Sequence, residues 1–244
     1  MLIKITKIAL VGVIGVGTLV GSSSIVSAEA AEPGVKATYD SKAKVMFEAN
    51  TDITDPVDPE NPDPTKPVDP TDPVEPGTEG PLSIDYVSNF DFGTQKTSGN
   101  AETYTAKPVE ITLSNGDVVE RAPYAQVTDN RGTHAGWTLT VAQPEQLNNG
   151  TADLEGAQIT IGEGTVTGTP KDKEGVVGKA VNLSENAQPV FTAANEAKGG
   201  TWVNSFGTVN EVNVELSIPA GTKIEQGTEY TTDLNWKLTD APGN

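Results

Sequence analysis

The sequence predicts an all-β protein: an antiparallel β-sandwich or barrel-like domain placed after a signal peptide and an acidic proline-rich segment. Three observations predict it. From residue 81 onward, short runs alternate apolar and polar residues, the pattern of strands with one wet face. The 25 glycines and 17 prolines among 244 residues interrupt the chain too often for long helices. Turn pairs such as Asn115-Gly116 and Asn149-Gly150 punctuate the alternating runs.

Residues 1–28 read as a secretory signal peptide. Lys4 and Lys7 supply the positive start, residues 8–20 are uncharged and largely apolar, and Val26-Ser27-Ala28 offers small residues for cleavage. The apolar run is shorter than the ~20 residues that span a bilayer, so no membrane insertion is expected after cleavage. Residues 29–50 form a short head in which Ala43, Val45 and Phe47 alternate with Lys44, Met46 and Glu48. A strand is expected over residues 43–48, and it needs a partner because one strand is not stable alone.

Residues 51–80 are an acidic proline-rich stretch. Asp-Pro recurs at residues 55, 58, 63, 69 and 72, and prolines fall mostly three apart, the repeat of polyproline II. Residues 55–76 would extend roughly 70 Å as such a rod. The expectation is a solvated linker or surface loop.

Residues 81–244 hold the strand-rich domain. Leu82, Ile84 and Tyr86 share a face, as do Val109, Ile111 and Leu113; Val212, Val214, Leu216 and Ile218 do the same. A helix is admitted only between about residues 190 and 198, where alanines cluster.

Charge and composition exclude several functions. The net charge is −18, and loss of Lys4 and Lys7 takes it near −20. Such a surface repels nucleic acid and anionic lipid. There is no cysteine, which removes disulfides, thiol nucleophiles and lipid attachment through a lipobox. No sorting signal for covalent wall attachment is read either. No cofactor, metal site or catalytic residue is expected: His134 is the one histidine, it lies in a Gly/Thr-rich loop, and no nucleophile elbow or calcium loop occurs.

Two tripeptides carry more specific information. Trp137-Thr138-Leu139 lies within an alternating run, and Trp236-Lys237-Leu238 lies near the C-terminus in Leu234-Asn235-Trp236-Lys237-Leu238-Thr239. With Phe90-Asp91-Phe92-Gly93 and Gly199-Gly200-Thr201-Trp202, the pair resembles the two motifs of the WxL family of Gram-positive cell-surface proteins. The resemblance implies a β-rich fold, a cell-wall location and non-covalent binding to peptidoglycan. It also implies partners among WxL-interacting and sorted wall proteins. Two other readings stay open: a subunit of a surface complex whose direct contact is protein, and an adhesin for host matrix.

The binding candidates are Trp137, Leu139, Trp202, Trp236 and Leu238. Within each motif the Trp and Leu share a strand face and the polar middle residue points away. Core filling and an exposed indole platform for glycan rings are both compatible with this, and the alternation favours the core. Trp202 follows two glycines, so it is expected to be the most exposed of the three tryptophans.

Overall fold

The computed structural model describes residues 36–37 and 39–242; the signal peptide expected over 1–28 lies outside the described residues. The chain divides into two compact units, Met1–Met46 and Phe47–Asn244. The described residues of the first unit form no regular structure, and Tyr39, Val45 and Met46 are 76–94% exposed. Phe47, at the start of the second unit, is 87% exposed. The strand expected over residues 43–48 does not form: these residues lie in no strand and are exposed.

The second unit is all-β, and every ladder is antiparallel. One sheet runs β2 (Leu82–Val87), β6 (Tyr124–Asp129), β13 (Gly200–Ser205), β9 (Thr165–Gly168). A second runs β10 (Val176–Gly178), β12 (Gln188–Ala193), β7 (Trp137–Ala142), β17 (Asn235–Thr239). A third runs β11 (Val181–Asn182), β8 (Gln158–Ile161), β16 (Val214–Ile218), β3 (Glu102–Thr105). These sheets are arranged in a ring, in which β9 lies against β10 and β11 against β12. A small sheet of β1 (Asp69–Pro70), β4 (Val109–Thr112) and β5 (Val118–Arg121) and a ribbon of β14 (Gly207–Thr208) and β15 (Glu211–Val212) complete the unit. The alternation in the sequence becomes alternation of burial: Trp137, Leu139 and Val141 are buried while Thr138 and Thr140 are half-buried.

The ring encloses the main core, built around Trp137, Leu139, Val141, Phe191, Trp202 and Phe206. A second core contains Val57, Val68, Tyr86, Ile111, Tyr124 and Val203. Strand β6 is buried along its whole length because it serves both. Ala125 and Val127 face the main core, and Tyr124 faces the second.

The proline-rich segment is therefore not a solvated linker. Val57 is fully buried and Val68 nearly so. The Val57 amide donates to Gln126 Oε1 at 2.8 Å, the Val68 amide donates to the Pro56 carbonyl, and Asp69–Pro70 pairs with β4. Arg121 grips Asp58 with two parallel bonds, Nε to Oδ1 at 2.7 Å and Nη2 to Oδ2 at 3.0 Å. The prolines set the local turns, and the valines between them supply apolar surface that pins the segment down. The alanine-rich stretch around residue 193 is strand β12 and then a turn, with no helix. Ala193 pairs with Trp137, so the small side chain there makes room for an indole.

Among the described residues no helix is long and apolar enough to cross a membrane.

Candidate functional site

The two Trp-x-Leu motifs lie on neighbouring strands. Leu139 of β7 pairs directly with Leu238 of β17, and Val141 pairs with Trp236. Paired residues share a sheet face, so both motifs line the inner face of one sheet. They differ in depth. Trp137 is 1% exposed and meets Phe191 edge-on at 4.8 Å between ring centres, whereas Trp236 and Leu238 on the edge strand are half-buried.

Trp202, expected to be the most exposed tryptophan, is fully buried. Gly200 opens strand β13 with φ of 117°, and a Cβ there would lie 2.7 Å from Thr169 Oγ1, so glycine here answers a left-handed backbone and the crowding of the Thr169 and Pro170 side chains. The indole lies over Gly168, its cross-strand partner, whose missing side chain leaves the slot it fills. Its Nε1–H donates to the Lys198 carbonyl at 2.9 Å. Trp236 is the tryptophan that reaches the surface.

Trp236 borders an open groove of about 1500 Å³. One wall is the loop after β2, residues 88–97, and the other is the segment 224–236. Between them lie Leu147, Leu154, Ile159, Leu216 and Ile218 from the edge of the main core. Trp236 stacks on Phe206 at 6.5 Å, and Phe206 meets Phe90 edge-on at 6.0 Å, so the half-buried indole rests on the buried Phe206 ring. Between residues 51 and 242 the aromatic residues that are not buried are Phe90, Phe92, Tyr104, Tyr230 and Trp236, and all five border this groove.

Both walls are held by polar contacts. Lys107 Nζ donates to Asp91 Oδ2 at 2.7 Å and the Gly93 amide to Asp91 Oδ1 at 2.6 Å. The Lys107 bond, then the Gly93 bond, holds the Asp91 carboxyl below the usual carboxylate range. Opposite, the Glu225 amide donates to the Tyr230 hydroxyl at 2.9 Å, and Asn148 and Thr231 exchange backbone bonds. The rim is acidic: Glu75, Glu225, Glu229 and Asp233 border it beside Lys96 and the paired Lys107. The groove thus offers flat apolar ring faces with carboxylates at their margins. Sequence reasoning named Trp236 but missed Phe90, Phe92 and Tyr230. Their signal was a cluster of aromatics in Gly/Thr-rich stretches rather than in alternating runs.

On strand β2, Asp85 is 3% exposed and accepts bonds from Ser83 Oγ (2.6 Å), Thr128 Oγ1 (2.6 Å) and Gln126 Nε2 (2.9 Å). Burial pushes its carboxyl up to about 6 against these three donors. Gln126 also holds Val57, so the same network ties the proline segment to the sheet.

The other polar candidates are structural. Asp129 takes two bonds from Arg131, at 2.9 and 2.8 Å, and Arg131 also donates to the Gly136 carbonyl. His134 adopts a left-handed backbone with φ of 54°, and its Nδ1 bonds the Ala197 carbonyl at 2.8 Å. These groups cap turns and leave no imidazole beside a nucleophile. Among the described residues no cluster of His, Asp and Glu could hold a metal ion.

Comparison with curated proteins and with solved structures returned no match. The family model described as "WxL domain surface cell wall-binding" matches residues 34–242, nearly the whole chain. Paired Trp-x-Leu strands in an all-β ring and a match of this extent establish that the chain belongs to the WxL family of surface cell-wall-binding domains.

Proposed function

We propose that the protein attaches non-covalently to peptidoglycan and that sugar rings lie in the aromatic groove, stacked on Trp236, Tyr230 and Phe92. The observation that carries this reading is the gathering of the five partly exposed aromatics around one open groove. Flat ring faces suit the apolar faces of sugars, and bordering carboxylates suit their hydroxyls and amides as acceptors. A volume of about 1500 Å³ exceeds the roughly 300–1,000 Å³ of small-molecule pockets and fits a polymer better. The acidic rim and the net charge of −18 disfavour phosphate-rich wall polymers, which leaves the glycan as the contact. Membrane-anchored WxL-interacting proteins and sorted wall proteins fit as further partners on the same surface-exposed domain.

Purified protein incubated with isolated, protein-free sacculi tests this. Wild type should sediment with sacculi stripped of anionic polymers, with little dependence on salt. Trp236→Ala and Phe92→Ala should each lower retention at least tenfold while the circular dichroism spectrum is kept. Retention that needs the anionic polymers, or that survives both substitutions, would refute the reading.

A further inference from the structure

The groove has a second property that an aromatic platform alone does not require. Two sheets end at it with open strand edges. β3 and β17 are each the outer strand of their sheet, and Tyr104, Asn235 and Trp236 border the opening, whereas the outer edge of β2 is taken at Ile84 by Thr78. Free strand edges over an apolar floor form an acceptor for one more strand.

The same chain carries an alternating segment that belongs to no sheet. Ala43, Val45 and Phe47 alternate with Lys42, Lys44 and Met46, and Val45, Met46 and Phe47 are 76–87% exposed. Together with Tyr39 at 94%, these are the most exposed large apolar side chains among the described residues. Charge matches as well. Residues 36–48 carry Lys36, Lys42 and Lys44 against Asp40 and Glu48, a slight basic excess in a chain of net charge −18, whereas the groove rim carries Glu75, Glu225, Glu229 and Asp233. The side chains of residues 45–47 are exposed and can enter the groove of a second copy.

We propose that residues 43–47 of a second copy add as a strand to the groove, with Val45 and Phe47 on the apolar floor and Lys42 and Lys44 toward the acidic rim. Five residues at about 3.4 Å each form a strand of roughly 17 Å. One groove cannot hold a glycan and a strand together. Self-association therefore masks the wall site, and wall polymer disperses the assembly. This competition rests on the wall reading above; the strand addition does not.

Sedimentation velocity on the chain beginning at Glu29, without wall material, tests the strand addition. Wild type should associate with rising concentration. Val45→Asp/Phe47→Asp should raise the apparent Kd at least tenfold without moving the melting temperature, since both side chains are exposed. Glu229→Lys/Asp233→Lys, on the rim, should weaken association too, and a free peptide of residues 40–49 should disperse the oligomer. A monomer at every concentration, or association that ignores the head substitutions, would overturn the proposal. So would a monomer whose melting temperature falls with Val45→Asp/Phe47→Asp, because the head would then dock within its own chain. In sacculus pull-downs at associating concentrations, the head variant should bind better than wild type; equal binding would place the strand outside the groove. If neither protein binds sacculi while association still depends on the head, the wall reading fails and strand addition stands.

Discussion

Replacing Trp202 by alanine should unfold the domain rather than strip a contact from its surface. The indole is fully buried, donates to the Lys198 carbonyl at 2.9 Å, and fills the slot over Gly168. Removal of a buried Trp side chain costs about 3–5 kcal/mol, and the orphaned carbonyl adds about 1 kcal/mol. The sum, about 4–6 kcal/mol, rivals the total stability of an ordinary domain, about 5–15 kcal/mol. For a unit of this length each kcal/mol moves the melting temperature by roughly 2–4 °C, so a loss of about 10–20 °C is expected. Trp202→Phe keeps most of the apolar area and loses the hydrogen bond, so about 1–2 kcal/mol should go. Thermal and urea melts followed by circular dichroism, run beside sacculus pull-downs, read both effects. Trp202→Ala with an unchanged midpoint and lost wall retention would refute the burial argument and make this indole a ligand contact.

Other expectations follow from the same geometry. Gly168→Ala would set a Cβ 2.4 Å from the Trp202 ring, so it should destabilise by about 1–3 kcal/mol in urea melts. Asp58→Ala leaves Arg121 half-paired and should free the proline segment, seen as new cleavage within residues 51–68 under limited proteolysis before the ring itself is cut. Asp85 titrates near 6 when folded and near its ordinary value of 3.8 when unfolded. The folded state thus binds the proton more tightly, and the increment is complete below about pH 4 and lost as pH rises through 6. About two pH units of difference correspond to roughly 3 kcal/mol. Wild type should gain stability from pH 7 to pH 5, and Asp85→Asn should lose that gain; an equal slope in both would assign it to other carboxylates. Chaotrope should release the protein from intact cells without muramidase, and release only after digestion would show covalent attachment.

The strands were legible because their partners are regular. Alternation at Trp137, Leu139 and Val141 depends only on one buried face, and that face exists. The placement of the proline segment was not legible in its own composition. Val57 and Val68 are buried because Gln126 and Arg121, more than fifty residues later, supply a bond and a charge at the right places. Isolated valines between Asp-Pro pairs were the visible trace. Trp202 misled for a related reason. The glycines before it pointed to exposure, whereas Gly200 is small because the Thr169 and Pro170 side chains crowd it and Gly168 because the indole lies over it. In the groove, Trp236 was legible from its motif, but Phe90, Phe92 and Tyr230 come together only through the ring.

The way the ring closes also sets how the protein folds and fails. Its ladders join distant stretches: Thr103 touches Ser217 at a separation of 114 residues, and Thr138 bonds Ala241 at 103. Such pairing forms slowly, because long loops must close before any contact rewards them. Without a disulfide, the barrier against reopening is the whole set of long-range ladders coming apart together. Persistence outside the cell then depends on the unfolding rate as well as on equilibrium stability. If β17, the last strand in the chain, pairs after the rate-limiting step, substitutions in it should shorten the lifetime of the folded domain more than they slow its formation, and double-jump unfolding experiments would read the two rates separately.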